Sequence, residues 1–264
     1  MMRIGLLIDK GQKSSNVDFF VSVLNEISGI HITLIENKFS EATNFSLRRK
    51  FREYGPILFL SKAVFSFLFG GSAQKQNSIS STKYFSSNWD RIELSPIVSS
   101  RNAFYQYLDD DIAKLIDQSL DLIVRGDGRG ILRGDILNAS KFGIVSIHYG
   151  DNRVIRGGPP GFWEVYFGIP ATGYTIQVLA DELDAGGVLA RGQCDTRMTY
   201  KANQREIIQK ANTHLSQIIK SFCQTGKLPD LETGAEKLGK VFTTPTLHQQ
   251  LIFWWRRWSN SFGS

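Results

Sequence analysis

Residues 142–192 read FGIVSIHYGDNRVIRGGPPGFWEVYFGIPATGYTIQVLADELDAGGVLARG. Gly143 to His148 is a short, almost unbroken apolar run, as expected of a central strand in a parallel sheet buried on both faces. It ends in a histidine. The loop that follows holds Gly150, Gly157, Gly158, Pro159, Pro160 and Gly161, so its backbone can come close to a ligand. Thr172 to Val178 and Gly187 to Arg191 read as two further strands flanking a turn at Asp184-Ala185-Gly186-Gly187. In open parallel sheets ligands gather at the carboxyl ends of the strands, where His148 stands. Alone, His148 reads as a satisfied structural histidine and Asp184 as a turn aspartate bonded to its own backbone. Facing each other across one pocket, they read as a site.

Upstream, Ile4 to Ile8 is an apolar run followed by a polar, glycine-containing loop from Asp9 to Asn16. The run is too short for a signal-peptide core and reads as a strand. Val17, Phe20, Val23, Leu24 and Ile27 recur at helical spacing, with Ser15 or Asn16 as the N-cap. Ile30 to Ile35 gives the next strand, so the chain opens as a parallel α/β sheet does. The first loop carries neither a full GxGxxG nor a Walker pattern. The rhythm returns at Asp109, with a helix marked by Ile112, Leu115, Ile116 and Leu120 and an acidic first turn. Next come a strand at Leu122 to Val124, a glycine-rich loop from Arg125 to Gly130, and a short helix expected over Ile131 to Leu137. A long helix carries Ile207, Ile208, Ala211, Leu215, Ile218, Ile219 and Phe222, and it closes at Gly226 and Pro229.

Residues 37–100 fit this rhythm less well and read as an insertion. Arg48, Arg49, Lys50 and Arg52 form a basic cluster. Pro56 to Phe69 is apolar but too short to span a bilayer, which leaves a buried or interfacial helix. Gly70 to Ser81 reads as a flexible loop. After residue 228 the chain reads as a tail, distinctive only at Phe253, Trp254, Trp255, Arg256, Arg257 and Trp258. Such residues suit packing on the chain's own core or a second subunit, stacking on a base or sugar, or contact with a membrane surface. The 31 Lys and Arg against 25 Asp and Glu leave +6, which suits phosphorylated ligands, nucleic acid or an anionic membrane about equally. Two cysteines, Cys194 and Cys223, are too few and too isolated for a disulfide framework or a zinc site, and a reducing, cytoplasmic setting is the default expectation. No metal is expected.

The order strand-Ile147-His148, the Arg156-Gly157-Gly158-Pro159 loop with its aromatic, then Gly168-Ile169-Pro170-Ala171-Thr172-Gly173-Tyr174-Thr175, then Glu182-Leu183-Asp184-Ala185-Gly186 resembles the core of the folate-dependent formyltransferases. That family includes glycinamide ribonucleotide, methionyl-tRNA and sugar-nucleotide N-formyltransferases. The resemblance is strong over Asp109 to Gly192, weaker over the first 35 residues, and absent over 37–100 and beyond about 228. It implies a Rossmann-like α/β fold: a mostly parallel sheet with helices on both faces, a catalytic domain over 1–228 with an insertion, and a short C-terminal tail over 229–264. The family's Asn-x-His…Asp set maps onto Ser146, His148 and Asp184, with serine in place of the asparagine whose amide helps polarise the formyl carbonyl.

The resemblance further implies 10-formyltetrahydrofolate as co-substrate. Its pterin would lie against Arg125, Gly126, Ile131 and Leu132 on one side and Val178, Leu179 and Asp181 on the other. The amine would approach past Gly157, Gly158, Pro159 and Trp163, with Gln177 in support. Methionyl-tRNA members carry a C-terminal β-barrel that the residues after 228 are too few to build. Purine-pathway members grip a phosphate with a first loop that Asp9 to Asn16 matches only loosely. An amino-sugar nucleotide is therefore the leading acceptor, with the tRNA and purine acceptors as alternatives. Nucleic acid has no strong signal, and a homodimer is compatible with the sequence. A second reading, motivated by Ser146, is a formyltransferase-fold protein that binds without turnover.

Overall fold

A computed structural model of the chain describes residues 1–11, 14–39, 47–69, 88–99, 104–128, 130–232 and 237–261, with backbone only over 47–54 and 257–261. The loop expected over 70–81 therefore lies outside the described residues. In chain order the elements are β1 (Met2–Asp9), α1 (Ser15–Asn25), β2 (Ile30–Asn37), α2 (Leu47–Phe69), β3 (Asp90–Leu94), β4 (Ile97–Val98), β5 (Phe104–Gln106) and α3 (Asp109–Asp117). Then come β6 (Leu122–Arg125), β7 (Ile131–Leu132), a 3-10 turn (Asp135–Asn138), β8 (Ile144–His148), β9 (Ile155–Gly157), α4 (Phe162–Phe167) and β10 (Ala171–Val178). The last are β11 (Gly187–Asp195), α5 (Tyr200–Thr225), β12 (Lys240–Phe242) and α6 (Leu247–Ser261).

Seven strands form one sheet in the order β11-β10-β8-β6-β1-β2-β3. The five from β3 to β8 run parallel, and β10 and β11 turn antiparallel. One core, with Leu6, Val124 and Val145 of the sheet, lies under α1 and α5, and the other, with Leu7, Ile123 and Ile144, lies under α3. The helices thus cover both faces, as expected of an α/β sheet. Each fully buried Leu or Ile contributes about 2 kcal/mol by apolar burial.

Several expectations are corrected. The cap of α1 is Ser14, whose hydroxyl accepts from the Asn16 N–H at 3.2 Å, so the helix starts earlier than its apolar spacing suggests. No short helix spans 131–137: Ile131 and Leu132 pair with Phe104 and Tyr105, and Gly134 at φ +77° separates that strand from the 3-10 turn. Within 37–100, β3 is a full edge strand of the main sheet. α2 is broken at Gly55, φ +71°, and resumes at Pro56, which suits a first helical position because its missing N–H needs no partner there.

The residues after 228 add a strand and a helix. β12 pairs with β9, which ties them to the loop following His148. Phe253 of α6 enters an aromatic cluster with Phe69, Phe162, Trp163 and Tyr200. Among the described residues no helix is long and apolar enough to cross a membrane. Cys194 and Cys223 are free thiols, and burial raises the pKa of both, that of Cys223 to about 11.

Candidate active site

The site begins as a consequence of register. Directly paired residues on neighbouring strands share a face, and side chains alternate with period two. His148 lies opposite Thr175 and Ser146 opposite Gln177. Val124 pairs with Val145, so Arg125 falls on the same face as Ser146. The carboxyl ends of β6 and β8 therefore present Arg125, Ser146 and His148 together. β10 and β11 slip register between Ile176 and Gln177, and such bulges re-aim side chains beside sites.

Asp184 reaches His148 from the turn between β10 and β11. Its Oδ1 lies 3.4 Å from His148 Nδ1, and its Oδ2 accepts the Gly157 N–H at 3.0 Å. The turn holds Asp184 at φ +52°, a left-handed conformation that Asp and Asn tolerate better than most residues. Asn152 fixes that backbone, since its Nδ2 donates to the Asp184 carbonyl at 3.0 Å while its Oδ1 accepts from Arg191 Nη2 at 3.0 Å. His148 is itself buried, with Nε2 2.9 Å from the Ile155 carbonyl. A carbonyl only accepts, so Nε2 carries a proton there, and neutral His148 presents Nδ1 as an acceptor beside Asp184. Gly157 sits at φ +80°, and a Cβ there would stand 2.2 Å from the Phe242 carbonyl oxygen.

Ser146, His148 and Asp184 line one cavity of about 500 Å³, within the size of small-molecule sites. Arg125 closes its inner end. Burial lowers the guanidinium's pKa, opposed by the buried Asp9 carboxylate. Asp9 in turn accepts from Tyr105 at 2.9 Å and from Asn37 Nδ2 at 3.0 Å. On the opposite face Asn16, Tyr149 and Asn212 close a ring of hydrogen bonds of 2.9 to 3.0 Å that pins the start of α1 beside β8.

No family model matches the chain. The methionyl-tRNA formyltransferase of Bacillus cytotoxicus is 28% identical over 152 residues, which are 55% of this chain and 46% of that protein. The chain thus spans about half the length of the curated relatives it matches. Glycinamide ribonucleotide transformylase 1 from Symbiobacterium toebii superposes with a TM-score of 0.55 at 18% identity, over 92% of this chain and 95% of that one. WlaRD, a sugar 3N-formyl transferase solved in the presence of dTDP and 5-N-formyl-THF, gives 0.51 at 11% identity, over 91% and 70%. These identities speak for the fold, and the sequence relatives carry the same name. The sequence relatives and these structural neighbours alike are formyltransferases, and the chain shares their fold.

Within the formyltransferase frame, the structure brings together most of the residues singled out from the sequence. Gly126, Ile131, Leu132 and Leu179 line the cavity, as do Gly157, Gly158 and Gln177. Gln177 is 2% exposed, and its Oε1 has no hydrogen-bond partner among the described residues. Four residues stand outside the lining. Val178 packs on the core beneath α5, and Asp181 accepts the Gly134 N–H at 3.1 Å. The Pro159 carbonyl accepts from Phe162 N at 3.2 Å. Trp163 is buried among aromatic rings and donates to the Gly158 carbonyl at 3.1 Å, supporting the loop from behind. Sequence reasoning passed over Asn152, Arg191, Asp127 and Tyr149. Asn152 and Arg191 carry no signal, because their pairing depends on the fold of the 150–191 loops, whereas Asp127, which lines the cavity, lies in the glycine-rich loop from Arg125 to Gly130. Among the described residues no group of three or more His, Cys, Asp or Glu is placed to hold a metal.

Proposed function

We propose that the chain is an N-formyltransferase that moves a formyl group from 10-formyltetrahydrofolate to a primary amine, with an amino-sugar nucleotide as acceptor. The observation that carries the reading is the pair His148 Nδ1 and Asp184 Oδ1, 3.4 Å apart in one cavity with Ser146. The neutral amine attacks the formyl carbon, forming a C–N bond and placing negative charge on the formyl oxygen. The attacking nitrogen then gives up a proton, folate N10 gains one, and the C–N10 bond breaks. His148 Nδ1 is the group that takes and returns that proton, and the imidazolium formed in between pairs with Asp184. Protonated His148 and the Ser146 hydroxyl are the donors available to the oxyanion, a type of contact worth about 3 kcal/mol when lost. The folate pterin is assigned to the Arg125–Leu132 side and the amine to the Gly157–Gly158 side. A sugar 3N-formyl transferase of this fold solved with dTDP and 5-N-formyl-THF supports the donor and acceptor class. Two free thiols are in keeping with a cytoplasmic setting.

The test is incubation with 10-formyltetrahydrofolate and a panel of amino-sugar nucleotides, following tetrahydrofolate release and the mass of the formylated sugar. Turnover with an amino-sugar nucleotide and not with glycinamide ribonucleotide or methionyl-tRNA is the expected result. Ser146 favours a second reading, a folate-binding protein without turnover. Tight 5-formyltetrahydrofolate binding with no product from any amine would establish that reading in place of the first.

A further inference from the structure

We infer that Gln177 is a further catalytic residue, whose side-chain amide donates to the formyl oxygen as negative charge develops there. The inference rests on the formyl-transfer reading and adds a donor to its chemistry. Register supplies the placement. Gln177 lies directly opposite Ser146 in the antiparallel pair of β10 and β8, and Arg125 flanks Ser146 from β6 on the other side. Paired residues share a face, so Gln177 stands in one row with Ser146 and one pair away from His148. It lines the cavity that holds Ser146, His148 and Asp184.

Packing gives no reason for a glutamine at this position. The residue is buried, and its Oε1 is enclosed without a hydrogen-bond partner among the described residues. The NH2 group bonds to no described residue either, and it is the end of the amide left toward the cavity. An amide buried without partners is less favourable than an apolar side chain of the same shape. A ligand atom that accepts a hydrogen bond supplies the missing reason.

The proposed reaction needs such a donor at its first step. Neutral His148 presents Nδ1 as an acceptor, so it donates only after it has taken the amine's proton, whereas charge builds on the formyl oxygen as the amine attacks. Other donors around the cavity are committed. The Gly157 N–H is on Asp184, the Gly158 N–H on the Phe242 carbonyl, and Asn152 Nδ2 on the Asp184 carbonyl. The Arg125 guanidinium bonds the Gly130 carbonyl. Ser146 brings one hydroxyl, which can turn to donate or accept, but the Gln177 NH2 group only donates. From paired positions on neighbouring strands the two make a two-point contact with one oxygen. Gln177 transfers no proton and forms no bond to carbon; it holds the charge until the C–N10 bond breaks and the carbonyl is restored.

The experiment compares the parent with Gln177→Met, which keeps the length of the side chain and removes the amide. Tetrahydrofolate release from 10-formyltetrahydrofolate and an amino-sugar nucleotide is measured beside 5-formyltetrahydrofolate binding and thermal unfolding. The variant is expected to lose about 10²-fold in kcat, with folate affinity unchanged and a melting temperature no lower than the parent's. Ser146→Asn, which brings an amide to the paired position, should raise kcat more in the Gln177→Met background than in the parent, because two amides aimed at one oxygen are coupled. A variant within about twofold of an active parent overturns the role of Gln177 and leaves formyl transfer standing. A parent without turnover on any amine overturns both. A lower kcat that comes with lost folate binding or a lower melting temperature also overturns it, since the amide then holds the folate or the fold.

Discussion

The rim of the sheet and the aromatic shell beside it are built from one stretch of chain, and each contains a carboxylate in opposite circumstances. Asp184, on the rim, accepts the Gly157 N–H and faces His148. Glu164, in α4, is 3% exposed, and its Oε2 has no partner among the described residues. Burial pushes its pKa to about 7, opposed only by a bond to its own backbone. Asp184 has a backbone donor and a histidine beside it, whereas Glu164 is enclosed by packing that its charge opposes. A carboxylate's role is set by what the fold places around it.

The comparison breaks most readily at the rim. His148→Ala should lower kcat by about 10³-fold, the scale of a lost acid–base group, while folding and 5-formyltetrahydrofolate binding persist. Steady-state kinetics beside a melting curve check both. Gly157→Ala, which drives a Cβ into the Phe242 carbonyl at positive φ, should cost about 3 kcal/mol of stability, read by denaturant unfolding, and lower activity because Asp184 loses its backbone donor.

The shell supplies a pH test. Glu164 has a folded pKa of about 7, above the ordinary value of 4.5. The stability of its protonated form is fully present below the unfolded value and is lost as pH rises through about 7. Glu164→Gln should therefore be more stable than the parent at pH 8, by about 3 kcal/mol at most, with the gap closing towards pH 4. Unfolding midpoints across that range decide it, and a gap that widens towards low pH would reverse the sign.

The smallest expected effect sharpens the rim itself. Ser146→Asn, which gives the oxyanion a longer amide donor, should raise kcat by about tenfold. An unchanged rate would mean that this position does not touch the reacting oxygen.

Much of the rim was legible because strand periodicity carries it. An apolar run ending in Ser146-x-His148 puts both side chains on one face whatever the tertiary detail. Asp184 was legible only through a resemblance, since its approach depends on an antiparallel pair, a bulge and a left-handed turn. The shell was less legible. Trp163 looked like a ligand-contacting residue, yet its ring is consumed by Phe167 and Phe242. The residues after 228 looked like a tail because nothing local shows that Phe253 will meet Phe69. The helix expected over 131–137 failed because two apolar residues found a strand partner in β5, a non-local pairing that overrode their spacing.

The most direct measurement is tetrahydrofolate release by Asp184→Asn against the parent, at saturating 10-formyltetrahydrofolate and amino-sugar nucleotide. Asparagine tolerates φ +52° and still accepts from Gly157, so only the charge beside His148 is lost. The predicted result is a fall of about 10²-fold in kcat with KM for the folate unchanged. A rate within twofold of the parent would contradict the assignment of His148 and Asp184 as the proton-transferring pair.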